Sequence, residues 1–157
     1  MIVQTPIRQT DKHGSGWFGA PRGSRKHRGI DYACYPGSVV LCMVDGVVSK
    51  LGYAYADDLS YRYIEITDTA GFKARYFYVE PIHELGDAVL AGEIIGQSQP
   101  LGTRYPGITE HVHFEVRNPD GDIIDPINYI QPADMQIRLQ AIDNYRRRDQ
   151  ADEDCDG

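Results

Sequence analysis

The sequence predicts an all-β fold, a compact antiparallel β-sandwich or barrel-like domain with long loops and a short C-terminal helix. Two patterns carry that expectation. From residue 38 to 130, short runs of β-branched and aromatic residues alternate with turn signals at the spacing of a sandwich or barrel. After them, Ile137, Ala141, Ile142 and Tyr145 recur at helical spacing across Asp134–Arg148. The chain is therefore expected to divide into a domain over 1–131, a helix over 132–148 and an acidic, disordered tail over 149–157.

Each element has its own signal. Residues 1–30 are Gly-rich and polar, and are expected to wrap the sheet as ordered loop. Ser38–Met43 is apolar and β-branched, and Asp45-Gly46 turns the chain into a second strand, Val47–Leu51. Tyr61–Thr67 alternates, with Ile64 and Ile66 on one face and Tyr63 and Glu65 on the other. The turn Asp68-Thr-Ala-Gly71 leads into Phe72–Val79. Two short strands hinged at glycines follow, Leu85–Val89 and Ala91–Gly96. Glu110–Arg117 alternates again before the turn Asn118-Pro-Asp-Gly121.

Composition narrows the function classes. A length of 157 residues suits one core, and 41% hydrophobic with 25% charged residues is the balance of an ordinary globular domain. The formal charge of −7 argues against nucleic acid as a partner. One basic stretch, Arg22 to Arg28, interrupts that background; it is either a solvated loop or a contact for an anionic ligand. No apolar run approaches the ~20 residues of a membrane span. The N-terminal Met-Ile-Val-Gln-Thr-Pro lacks the pattern of a secretory signal. Cys34, Cys42 and Cys155 form no C-x-x-C, which argues against a thiolate metal site. Cys34 and Cys42 either bridge in an oxidising compartment or stay reduced, and Cys155 is expected to be free in the polar tail.

The chemistry concentrates in two motifs, His27-Arg-Gly-Ile-Asp31 and His111-Val-His113, which hold three of the five histidines. A catalytic Zn²⁺ takes three protein ligands, typically His with Asp or Glu, and leaves a fourth position to water or substrate. In extended backbone, residues two or four apart share a face, so His27 can converge with Asp31, and His111 with His113. Zinc lowers the pKa of the water it carries toward about 7 and polarises a carbonyl. His111 could orient that water, shuttle its proton or stabilise a tetrahedral oxyanion. Glu115 shares the face, either as partner to a ligand imidazole or as a structural hydrogen bond within the strand.

The order of these elements resembles the lysostaphin-type zinc endopeptidases over residues 16–130. The resemblance runs through Gly16-Trp-Phe-Gly19, His27-x-Gly-Ile-Asp31, Pro36-Gly37 and Asp45-Gly-Val-Val48. It continues through Gly86-Asp-Ala-Val89, Ala91-Gly-Glu-Ile-Ile-Gly96, His111-x-His113-Phe-Glu115-Val, and Asp125-Pro126 with Tyr129. Each fragment is weak, but their co-linear order is specific. It implies one Zn²⁺ per chain held by His27, Asp31 and His113, with His111 catalytic. The implied partners are stem or cross-bridge peptides of bacterial peptidoglycan.

One position departs from the family pattern. Most active members carry a further catalytic His in a Tyr-x-His-Leu motif, where this chain reads Tyr76-Phe-Tyr78-Val79. Tyr78 can donate a hydrogen bond to an oxyanion, but a reference pKa of about 10 makes it a poor base at neutral pH. His83 is near in sequence but out of register. With Tyr76–Ile82, Arg104-Tyr-Pro-Gly-Ile108 and Cys34 beside Pro36-Gly37, the chain resembles the Tyr-for-His sub-branch that also looks like leukocyte-derived chemotaxin. That resemblance implies a fold and zinc ligands retained for signalling rather than cleavage.

The sequence thus points to a zinc endopeptidase of peptidoglycan, with a catalytically silent zinc-binding structural or recognition module as the alternative. A wall enzyme without a signal sequence suits a bacteriophage, either as a lysis enzyme held in the host cytosol or as a virion-borne enzyme. The C-terminal helix either docks on other virion proteins or packs on its own sheet. Specificity is expected from the loops Leu51–Ser60 and Gln97–Thr109.

Overall fold

The computed structural model describes residues 6–129. The helix over 132–148, the tail over 149–157, Cys155 and the virion contact assigned to that helix lie outside the described residues. The strand signals become β1 (Pro21–Arg22), β2 (Arg25–Lys26), β3 (Ile30–Ala33), β4 (Val39–Leu41), β5 (Gly46–Tyr53) and β6 (Arg62–Asp68). They continue as β7 (Lys73–Phe77), β8 (Val79–Pro81), β9 (Ala88–Val89), β10 (Ile94–Ser98), β11 (His111–Arg117) and β12 (Ile123–Ile124), followed by a one-turn helix α1 (Pro126–Tyr129).

The pairings are antiparallel. The main sheet runs β12-β11-β7-β6-β5-β9, with β3 added on β11. A second sheet runs β4-β10-β8, and β1-β2 form a separate hairpin. Period-two alternation decides which side of the main sheet faces inward. Ile64, Ile66, Ala74, Tyr76, Val112, Phe114 and Val116 are buried, and they form one cluster with Val40, Val79 and Ile95 of the second sheet. The fold is therefore the sandwich expected. The Tyr76 hydroxyl ties the two layers further by accepting the Met43 backbone N–H at 2.9 Å. The opposite face of the main sheet carries Glu65, Arg75, His111, His113 and Glu115.

Three expectations need correction. Phe72–Val79 is not one strand: β7 ends at Phe77, Tyr78 takes a left-handed φ of 66°, and β8 starts at Val79 in the other sheet. Tyr78 is thus the pivot where the chain crosses between layers, in a conformation costing a non-Gly residue about 1–2 kcal/mol. Residues 1–30 are not loop throughout, since they contain the β1-β2 hairpin and an Ile7–Tyr32 bridge. His27 and Asp31 do not share one extended strand, because His27 precedes β3 and the chain bends at Gly29.

That bend is possible only for glycine. A Cβ at Gly29 would lie 2.2 Å from the Phe114 carbonyl oxygen and 2.9 Å from His113 Cε1. Elsewhere the Leu85–Val89 and Ala91–Gly96 segments shrink or shift to β9 and β10, because Gly86 and Gly92 hold positive φ in the turns before them. Cys34 and Cys42 are not bridged, and the buried Cys42 thiol donates to the Val44 carbonyl. Gly29→Ala is expected to destabilise the protein by about 1–3 kcal/mol, the cost of overpacking against rigid backbone. Equilibrium denaturation measures it, and an unchanged midpoint would show that the bend can relax away from β11.

Candidate metal centre

The centre begins with strand register. β3 and β11 pair so that Asp31 lies directly opposite His113, while β7 places Phe77 opposite His113 on the other side. Ile30, Tyr32, Val112 and Phe114 are drawn into the core, so alternation turns Asp31, His111, His113 and Glu115 to the other face. His27 reaches the same point through the bend at Gly29.

Three donor atoms converge there. Asp31 Oδ1 lies 2.7 Å from His113 Nδ1 and 3.0 Å from His27 Nε2. The two ring nitrogens, His27 Nε2 and His113 Nδ1, are themselves 3.0 Å apart. Outer partners fix both tautomers. His27 Nδ1–H donates to the Trp17 carbonyl at 2.8 Å, and His113 Nε2–H donates to Glu115 Oε1 at 3.0 Å. In the neutral form of each ring, the nitrogen facing Asp31 would then offer its lone pair to a metal ion, the arrangement in which outer hydrogen bonds orient metal-binding histidines. The donor separations fall about 0.3–0.6 Å short of the ~3.3 Å edge of a tetrahedron built on Zn–N and Zn–O bonds of about 2.0–2.1 Å. His27, Asp31 and His113 thus could hold a metal ion after a small opening, and two imidazoles with one carboxylate are a zinc donor set.

Electrostatics point the same way. Burial opposes ionisation of Asp31, yet hydrogen bonds from His113 and His27 hold its carboxyl well below the usual range. Burial also opposes charge on His113, but the Asp31 and Glu115 carboxylates push its pKa up to about 9. The cluster calls for positive charge at its centre, from a proton or a metal ion. Arg8, 2% exposed, adds a fixed cation, its Nε 3.2 Å from Asp31 Oδ2 and its Nη1 3.0 Å from Asp11. Arg22 stands 3.7 Å from the same Asp31 oxygen.

His111 lies beside the cluster, its Nε2 3.6 Å from Asp31 Oδ2. Its Nδ1–H donates to the Thr109 carbonyl at 2.7 Å, which leaves Nε2 as the proton acceptor. Burial lowers its pKa against the pull of Asp31, so the ring is neutral at neutral pH. The Tyr78 ring meets His111 edge-on at 5.7 Å. Burial pushes the Tyr78 hydroxyl up to about 12, and Tyr55 donates to it at 3.0 Å. Tyr78 therefore keeps its own proton available to donate. Tyr55 is bonded in turn to the Tyr105 hydroxyl at 2.8 Å, and the Arg104 guanidinium stacks 3.6 Å over the Tyr55 ring. His111, Tyr78, Tyr55 and Tyr105 line a cleft of about 440 Å³ that also takes in the basic hairpin.

The structure brings together the five residues named from the sequence: His27, Asp31, His113, His111 and Tyr78. Glu115 lies against His113. His83 is elsewhere, bonded to Asp87 and to the Ile94 carbonyl. Both expected groove loops contribute, through Tyr55 and through Leu101, Tyr105 and Ile108. Sequence reasoning missed Arg8, Tyr55 and Tyr105. Arg8-x-x-Asp11 is the one visible trace of the first, and the two tyrosines are marked only by lying in the loops expected to bound the groove.

Comparison with known proteins agrees with this geometry. The model of peptidase family M23 matches residues 25–126. Leukocyte cell-derived chemotaxin-2 of Mus musculus is 34% identical over 124 residues, covering 79% of this chain and 79% of that protein. The DD-carboxypeptidase/endopeptidase Mpg of Neisseria meningitidis is 28% identical over 113 residues, covering 69% of this chain but 24% of that protein. Among solved structures, the catalytic domain of the antimicrobial peptidase lysostaphin from Staphylococcus simulans superposes with a TM-score of 0.59 at 24% identity. That match covers 74% of this chain and 89% of that domain, and it shows a shared fold.

Removing one partner of a buried ion pair leaves the other charge uncompensated, which costs about 3–5 kcal/mol. Arg8→Met should lower stability by that amount when unfolding is followed in the presence of a chelator. A loss below about 1 kcal/mol, the scale of an exposed pair, would mean that Arg22 alone compensates Asp31.

Proposed function

The chain belongs to peptidase family M23, and from that premise we propose that it is a zinc-dependent endopeptidase that hydrolyses peptide bonds of bacterial peptidoglycan. The observation that carries this reading is the convergence of His27 Nε2, Asp31 Oδ1 and His113 Nδ1, with each imidazole oriented by a partner of its own. These three residues would hold one zinc ion, which when bound supplies an activated water near neutral pH and a Lewis acid for the scissile carbonyl. The Neisseria relative, named as a DD-carboxypeptidase/endopeptidase, supports a peptide of the cell wall as substrate.

The remaining steps belong to the chain's own side chains. His111, neutral and with Nε2 free to accept, takes the proton of the attacking water and returns it to the departing amine. A positioned base of this kind contributes about 10²–10⁴-fold. Tyr78 donates its hydroxyl proton to the developing oxyanion, a role worth about 10²–10³-fold in kcat. Tyr55 holds the Tyr78 oxygen as acceptor, so that this proton points away from Tyr55.

A second reading, a zinc-bound recognition module without turnover, is favoured by one specific observation. Tyr78 stands where a second catalytic His is usual, and the chain is 34% identical to a relative named as a chemotaxin. Tyrosine replaces a base that titrates near neutrality with a hydroxyl that stays protonated there, so His111 must carry all proton transfer.

Metal analysis should find about one zinc per chain, lost on His113→Ala; absence of zinc affinity in the intact protein would end both readings. Zinc-loaded protein incubated with purified peptidoglycan should release new amino termini, and none released would leave the recognition module. His111→Ala should keep zinc while cleavage falls about 10²–10⁴-fold. Tyr78→Phe should cost about 10²–10³-fold, and unchanged cleavage would remove the hydroxyl from the mechanism.

A further inference from the structure

This acidic chain gathers cations in one place. Its formal charge is −7, yet its cleft is lined by Arg8, Arg22, Arg25, Lys26 and Arg28 against the carboxylates of Asp31 and Glu115. Both carboxylates are engaged, Asp31 by Arg8 and the histidines, Glu115 by His113. Arg8 and Arg22 lie against Asp31. Arg25, Lys26 and Arg28 are exposed, and among the described residues no hydrogen bond or ion pair engages their side chains, although the Arg28 charge helps hold the Glu115 carboxyl below its usual range.

Arg25 and Lys26 lie on the hairpin, and Arg28 follows in the segment that leads to β3. β1 and β2 each have two residues, and their register sets Arg22 directly opposite Arg25. Like charges opposed across a strand pair destabilise it, and no acidic neighbour relieves this one at Arg25. A solvated loop has no need of such a pair. A cleft wall that must attract an anion does.

We propose that the wall formed by Arg25, Lys26 and Arg28 is a carboxylate-binding subsite, so that the peptide brought to the His27–Asp31–His113 centre is an acidic stem peptide rather than a neutral cross-bridge. This rests on the peptidase reading above and specifies its substrate. Stem peptides carry free carboxylates on their acidic residues and at their C-terminus, whereas an uncharged bridge offers none. Arg25 and Arg28 present planar forks that match a carboxylate through two parallel hydrogen bonds. The wall leads into β3 on one flank of His113, while Tyr78 at the end of β7 and Tyr55 of the β5-β6 loop line the cleft on the other, with Tyr105 bonded to Tyr55. A peptide between them meets charge on one side and rings on the other. A long sulfated or phosphorylated polymer fits less well, because the basic wall is short and the chain passes from Arg28 into the buried Gly29 and Ile30.

Calorimetry with two probes tests the subsite: an N-acetylated stem peptide with free carboxylates, and the same peptide with them amidated. His111→Ala in the zinc-loaded full chain slows turnover about 10²–10⁴-fold, so that binding is read before cleavage. The acidic peptide should bind about tenfold more tightly, the combined effect of two or three exposed ion pairs, and added NaCl should erode the difference. R25E/K26E in that background should abolish the preference while leaving zinc content and affinity for the amidated peptide unchanged. Equal affinity for the two peptides, a preference that survives R25E/K26E, or tighter binding of dextran sulfate than of the acidic peptide would each overturn the subsite. The peptidase reading fails separately, if the protein with His111 intact prefers the acidic peptide and cuts no peptidoglycan.

Discussion

The register between β3 and β11 is the constraint on which the site depends. Asp31 faces His113 across that pair, and neither residue could be moved by one position without moving the core with it. Phe114, Val112 and Val116 are buried to within 1% of complete, and burial of side chains this size is worth about 1.5–3 kcal/mol each. A one-residue slip would expose them and turn His111, His113 and Glu115 inward. The force that holds the ligands in place is therefore hydrophobic, exerted on their neighbours. His27 depends on the same pairing at one remove, because its bend at Gly29 is pressed against the Phe114 carbonyl.

This explains which parts of the site could be read from sequence. His111, His113 and Glu115 lie in an alternating run, and alternation alone assigns them a common face. Asp31 follows similarly from Ile30 and Tyr32. Four-residue spacing in a strand does not bring His27 beside Asp31; the bend at Gly29 does. The pivot at Tyr78 was hidden because Phe, Tyr and Val are all strand formers, so Phe72–Val79 carried no break signal. Only the need to pass from one sheet to the other demands a positive φ at that position. Arg8 was illegible for another reason: its partner Asp31 lies 23 residues away, and an arginine in a polar segment has no local mark of burial.

Tyr78 connects fold to chemistry more tightly than a surface substitution would. Its backbone N–H donates to the Arg62 carbonyl and its carbonyl accepts from Gln99 N–H, both at 2.8 Å, so the two sheets hold the left-handed residue in place. Strain that the surroundings over-determine tends to sit at functional sites. Here it aims a ring at His111 and a hydroxyl at Tyr55, and both contacts would be lost if the strand ran on regularly. The orientation of the phenol is therefore a property of the layer crossing itself.

The charges of the cleft follow from the buried carboxylate. An ionised Asp31 at 2% exposure is tolerable only with cations and hydrogen-bond partners around it; Arg8 and Arg22 supply the charge, and His27 and His113 the hydrogen bonds. Those cations are satisfied internally, so they explain neither Arg25, Lys26 nor Arg28. The excess lies on the same cleft and faces solvent, and Arg25 opposes Arg22 across the hairpin. A feature that stabilises neither the hairpin nor Asp31 must be accounted for by what enters the cleft. An anionic peptide does so, because it brings the counter-charge that the fold withholds.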